Sequence, residues 1–153
     1  MPSPSDPSDR LPPPLFPALT PEVMNAVGAG HLPGFLGVEI LEVADRRLRA
    51  RLAVEPHHLA PNGFLHAATV IALADTCCGY GCAANLPEGA SGFTTIELKT
   101  NFIATLMAGA LRADAELVHG GRTTQLWDAR VTAEDNGRLL ALFRCTQLVL
   151  RPR

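Results

Sequence analysis

Hydrophobic and polar residues change rhythm along this chain, and each change marks a change of predicted element. From Phe93 to Ile103 the side chains alternate: Thr94, Ile96, Leu98, Thr100 and Phe102 fall on one face, Thr95, Glu97, Lys99 and Asn101 on the other. A period of two belongs to a strand with one face buried. Leu111, Ala113, Ala115 and Leu117 alternate with Arg112, Asp114 and Glu116 in the same way. Gly120-Gly121 predicts a turn, residues 122–133 a third strand, Asn136-Gly137 a hairpin and residues 138–150 a fourth strand. These four strands are expected to form an antiparallel meander. Upstream, Val38 to Val43 and Leu48 to Val54 read as another strand pair turning near Asp45 and Arg46.

Between the two strand groups the alternation disappears. Thr69 to Ala84 is apolar on nearly all sides, with a single carboxylate, Asp75, in its middle. A helix of that kind has to be enclosed. The order strand, strand, long helix, four strands therefore predicts an α+β fold, a curled antiparallel sheet of about six strands wrapped around one central helix. Phe64 to Ala84 also has roughly the ~20 residues of a membrane span. Asp75 would then lie near the bilayer centre at a cost of about 2.5 to 3.5 kcal/mol. His66 sits at one end, and Gly79 and Gly81 weaken the helix. A core helix is the expectation, with no membrane partner.

Composition narrows the picture further. The chain has 153 residues, a hydrophobic fraction of 47% and a formal net charge of -2, which describes one soluble domain without the positive excess that would hold nucleic acid. Met1 to Pro21 is crowded with Pro, Ser and Asp, so residues 1–21 are expected to be a flexible arm, docked by Leu15, Phe16 and Leu19, and residues 22–153 the folded domain. The arm has neither the basic start nor the apolar core of a secretory signal, and a cytoplasmic location is expected. Cys77, Cys78, Cys82 and Cys145 are then expected as free thiols.

Candidate chemistry gathers at the start of the helix. Pro61-Asn62-Gly63-Phe64-Leu65-His66-Ala67-Ala68 runs directly into it, and Asp75 follows His66 by nine residues. An isolated acid in an apolar helix is costly to bury and points to a functional role, with a hydrogen-bonded structural acid as the plainer reading. His66 reads as a catalytic group or a helix cap, and Asn62 as a substrate contact or a turn former. His57-His58 adds two imidazoles, but no second ligand cluster has metal spacing, so no metal is expected.

On Gly63 to His66 and on Leu73-Ala74-Asp75-Thr76, and on the order of elements from about residue 34 to 150, the chain resembles the hotdog-fold acyl-CoA thioesterases. The nearest resemblance is to the 4-hydroxybenzoyl-CoA and phenylacetate-pathway (PaaI-type) group. The resemblance implies an acyl-CoA substrate, of which coenzyme A is a part, with no separate cofactor. It also implies a homodimer with helices side by side, often paired into a homotetramer. It gives Asp75 the role of nucleophile or general base, and places His66 at the helix start with the Ala67 N–H as oxyanion donor. Alanines at 67 and 68 stand where the family has glycines, and Ala60 stands where it often has Asn or Gln, leaving Asn62 as the available substitute. The turn Gly121-Arg122-Thr123 is implied to meet the nucleotide part, helped by Lys99.

The chemistry agrees with that resemblance. Thioester hydrolysis needs a nucleophile or base plus N–H donors aimed at a developing oxyanion, and a helix N-terminus offers such donors. Ala67 and Asp75 are eight residues apart, about 12 Å along a helix, too far for one carbonyl group to touch both. An active site shared across a dimer interface follows. Two other classes stay open: a non-catalytic acyl-CoA-binding protein and a hotdog enoyl-CoA hydratase. Phe64, Tyr80, Phe93 and Phe102 are candidates to line an apolar acyl pocket, without selecting an aryl or an aliphatic group.

Overall fold

A computed structural model describes residues 19–153. The greater part of the expected N-terminal arm, Leu15 and Phe16 included, lies outside the described residues. Thr20 caps helix α1 (Pro21–Gly28), accepting from the Val23 N–H, and the short α2 (Leu32–Leu36) ends at Gly37 with φ 77°. Neither helix was expected, since both are short and rich in Gly and Pro. Strands β1 (Val38–Ala44) and β2 (Arg47–Ala53) form the expected hairpin, with Arg46 at φ 59° in its turn. A 3-10 turn (Pro56–His58) and a loop lead into α3 (Ala67–Ala84). Strands β3 (Gly92–Phe102), β4 (Ala110–Gly120), β5 (Thr124–Ala133) and β6 (Leu139–Leu150) complete the chain.

The six strands make one antiparallel sheet in the order β1-β2-β4-β5-β6-β3. The expected four-strand meander is thus corrected: β4, β5 and β6 are consecutive neighbours, whereas β3 pairs with β6 at the far edge. The reason is visible in the connections. Tight turns join β4 to β5 and β5 to β6, but residues 103–109 are a longer link that carries the chain away from β3 to a seat beside β2. Local alternation cannot report which strand is the neighbour.

One face of the sheet wraps α3. Leu48, Leu52, Leu111, Trp127, Val131 and Leu140 are among the side chains buried there against Leu73, Ala74, Cys77 and Cys78 of the helix. By length and composition α3 would suffice to cross a membrane, but half of it is buried by the fold. Gly81 has a packing purpose, since a Cβ there would meet the Trp127 ring at 2.7 Å. The Trp127 Nε1–H donates to Gln125 Oε1 (2.8 Å), and Gln125 Nε2 donates to the carbonyl of Asn85, the residue closing α3.

The two sheet edges differ. α1 covers β1, where Asn25 accepts from the Ile40 N–H (2.8 Å) and donates to the Ile40 carbonyl (3.1 Å) in place of a neighbouring strand. β3 is bare. A bulge between Thr95 and Glu97 shifts its register, so that Phe93 and Thr95 before it, and Leu98, Thr100 and Phe102 after it, share the face of the α3-side residues of β6. The expected single face through Thr94 and Ile96 is corrected accordingly, because a bulge inserts one residue and inverts the alternation.

Candidate active site

α3 presents one face to the sheet and leaves the opposite face partly open. Ala68, Ile71, Ala72, Asp75 and Thr76 lie on this open face, at helical spacing. Asp75 is half-buried, and burial holds its carboxyl above the usual carboxylate range. Its Oδ1 is fully covered and makes no hydrogen bond among the described residues. The hydrogen-bonded structural acid, the plainer reading of the sequence, is therefore absent for this oxygen. A covered carboxylate oxygen without a donor costs free energy, so the helix carries Asp75 at the expense of stability. On β3, Thr100 Oγ1 is likewise covered and without a partner among the described residues; the alternation reading assigned it to packing and missed it.

His66 is the N-cap of α3. Its Nδ1 accepts from the Ala68 N–H at 2.9 Å, which leaves the proton of the neutral ring on Nε2. The ring serves the cap role, one of the two left open. The Ala67 N–H, next to this cap, has no acceptor among the described residues and lies at the exposed helix start. A helix N-terminus concentrates N–H donors and positive potential there. Asn62 bends the loop before it: its Oδ1 accepts from the Phe64 N–H (3.1 Å), and Gly63 follows at φ 85°. Ala60 contributes backbone alone, donating to Phe64 O and accepting from Gly63 N–H.

The loop itself rests on His58. This side chain is 1% exposed. Its Nδ1 accepts from the Glu55 N–H and its Nε2 meets the Leu36 carbonyl, each at 2.8 Å. The His58 carbonyl accepts from the His66 N–H and from Thr69 Oγ1, each at 2.9 Å. In the sequence His57-His58 is merely a pair of loop imidazoles; nothing in the spacing shows that one is an internal tie.

The residues expected to meet the nucleotide lie elsewhere. Arg122 and Thr123 form the exposed tip between β4 and β5. The Gly121 N–H donates to Thr124 O (2.9 Å), so it is committed within the chain, whereas Arg122 and Thr123 are exposed. Gln125, just after this tip, bonds the α3 C-cap, so the tip is at the opposite end of α3 from His66. Lys99 lies on the sheet face away from α3, where it lines a groove of about 810 Å³ with Asn101, Arg130 and Arg144. One chain therefore has Asn62 in the loop before α3, His66 and Ala67 at the start of α3 and Asp75 two turns down the same helix, with Gly121, Arg122, Thr123 and Lys99 elsewhere.

Among the described residues no group of three or more His, Cys, Asp or Glu side chains is arranged to hold a metal ion. The four cysteines are buried free thiols, and burial pushes Cys82 up to about 12. Cys77, Cys78 and Cys82, each raised by burial, remain protonated and unreactive at neutral pH.

Comparison with known proteins supplies the family. The profile of the thioesterase superfamily matches residues 62–140, just over half of the chain and including the end of the loop, α3 and strands β3 to β5. The 1,4-dihydroxy-2-naphthoyl-CoA hydrolase of Listeria monocytogenes is 31% identical over 118 residues, covering 77% of this chain and 94% of that protein. The enzyme of the same name from Escherichia coli is 28% identical, covering 86% and 96%. Among solved structures, a mutant thioesterase from Pseudomonas aeruginosa superposes with a TM-score of 0.81 at 27% identity, covering 86% of this chain and 94% of that one. With its curled six-stranded sheet around α3, the chain belongs to the thioesterase superfamily and is a hotdog-fold acyl-CoA thioesterase.

Proposed function

We propose that the chain hydrolyses an aryl- or aliphatic-acyl-CoA, water replacing the CoA thiol at the acyl carbon to give a free acid and CoASH, in a site completed by a second copy. The observation that carries this reading is the placement of Asp75 and Ala67 on one helix. The carboxylate, with its covered and unpartnered Oδ1, and the free N–H are about 12 Å apart along α3, so one thioester carbonyl cannot use both from the same chain. Two copies packed through the open face of α3, with the helices antiparallel, bring each Asp75 towards the other chain's Ala67.

In this arrangement the Ala67 N–H meets the carbonyl oxygen as it gains negative charge, and the positive end of α3 adds to the stabilisation. Asp75 acts on the carbonyl carbon directly as nucleophile, or takes the proton of the attacking water. A carboxyl raised by burial is the better base, because its affinity for a proton lies nearer to that of the group it deprotonates. His66, the cap of α3, and Asn62, in the loop before it, are the further candidates for polar contacts to the thioester. Arg122 and Thr123, with Lys99, are the groups for the phosphates and nucleotide of coenzyme A. No cofactor or metal enters this chemistry. The relatives named for 1,4-dihydroxy-2-naphthoyl-CoA favour an aromatic acyl group. A homodimer is the minimum assembly of this reading, and pairing into a homotetramer is compatible with it.

Complementation tests the shared site. Ala67 is the first residue of α3 and follows a His66 at φ -69°, ψ 136°, backbone that accepts a following proline. Ala67→Pro therefore deletes the N–H and spares the helix, while Asp75→Asn deletes the carboxylate. Each variant should be nearly inactive in thiol release from acyl-CoA. After mixing and subunit exchange, half the dimers carry one intact site, and roughly a quarter of wild-type turnover should return. No recovery on mixing, with exchange verified, places both groups in separate chemistry and defeats the proposal.

A further inference from the structure

His57-His58, which the proposed chemistry does not use, sits at the root of the site. We propose that His58 is a positioning residue that fixes the direction of the Ala67 N–H through its own backbone carbonyl. The inference rests on the reading of Ala67 as oxyanion donor.

The geometry converges on one residue from four directions. The ring is held at Nδ1 by the Glu55 N–H and at Nε2 by the Leu36 carbonyl, both at 2.8 Å. A backbone N–H can only donate and a carbonyl can only accept, so both contacts are satisfied together by the neutral ring with its proton on Nε2. This clamps the 3-10 turn against the end of α2. The carbonyl of the clamped residue then accepts from the His66 N–H and from Thr69 Oγ1, both at 2.9 Å, one on each side of Ala67. Loop 59–65 leaves His58 and returns to it, closed by the Leu59–Leu65 bridge and by the Ala60 N–H bond to Phe64 O. The first turn of α3 is thereby referenced to the His58 carbonyl and, through the ring, to α2. A donor displaced by about 1 Å loses much of its effect on a transition state, on the order of 100-fold.

Both ring contacts are removed in His58→Phe, which keeps the volume; His58→Gln restores an N–H near Nε2, and His58→Asn an acceptor near Nδ1. Steady-state thiol release should show His58→Phe with kcat lower by about 10- to 100-fold and KM within about twofold, and His58→Gln between it and wild type. In amide 1H–15N spectra the Ala67 and Ala68 resonances should move in His58→Phe and return part of the way in His58→Gln. A lower melting temperature with unmoved Ala67 and Ala68 resonances and an unchanged kcat per folded enzyme overturns the proposal, as it describes a residue that only adds stability. Should His58→Phe not fold, His58→Gln and His58→Asn decide by the same two readouts, and wild-type values in both overturn it. A wild-type protein releasing no thiol from any acyl-CoA defeats the hydrolase reading instead, and the two resonances still judge His58.

Discussion

Asp75 carries its cost in a measurable form. Its carboxyl is raised by burial, so the folded chain prefers the protonated acid more than the unfolded chain does. Stability associated with this group is fully present below the ordinary carboxylate pKa and is lost as pH rises through the raised value. Asp75→Asn should therefore melt above wild type at about pH 8, and the gap should close as pH falls towards about 4. Thermal melts at the two pH values check this; a gap that widens on acidification contradicts the burial argument. Arg122 is the opposite kind of residue, exposed at a turn and free to meet phosphate. Arg122→Ala should raise KM for acyl-CoA by about tenfold with kcat within about twofold, as loss of uniform binding requires. An unchanged KM removes it from the nucleotide subsite.

At the scale of elements, α3 is placed by what it packs against. Its first turn depends on His66 and His58, and its last on Asn85, Gln125 and Trp127. Gly81 looks like a flaw in a long apolar helix until Trp127 is set against it. Helix propensity favours alanine there by about 1 kcal/mol, yet the added methyl would enter the indole at 2.7 Å in the best-buried layer. Overpacking wins: Gly81→Ala should destabilise by about 1 to 3 kcal/mol in denaturant unfolding, and a stabilised variant would show that the Trp127 layer yields. β3 illustrates the reverse. Its strand character was legible from alternation, but the bulge at Thr95 to Glu97 was not, because it depends on how β6 is met.

For the whole molecule, the decisive surface is the one the described residues of a single chain leave open. α1 covers the β1 edge through Asn25, while Ile96, Leu98, Phe102 and Ile103, on or next to the β3 edge, are between 41% and 57% exposed. Apolar side chains on an edge that no other described strand or helix covers suit a second copy, and an edge of this kind is otherwise a liability. Leu98→Glu should give a monomer in sedimentation and reduce turnover by at least ~100-fold, since a shared site dissolves with its interface. A fully active monomer would contradict the shared site.

The sequence by itself determined the six strands, the long helix and the placement of Asp75 within it, because hydrophobic periodicity is a local property and a lone acid in an apolar run needs no partner to be noticed. It also carried the loop and helix motif around His66 on which the family rests. Tertiary structure decided that β3 lies beside β6, that its register shifts, and that His58 is an internal tie and not a loop imidazole. It also decided that the Gly121 N–H is already used and that the Arg122 turn sits at the far end of α3 from His66. Each of these depends on residues brought together from distant parts of the chain, and the hydrogen bonds that fix them leave no trace in local spacing.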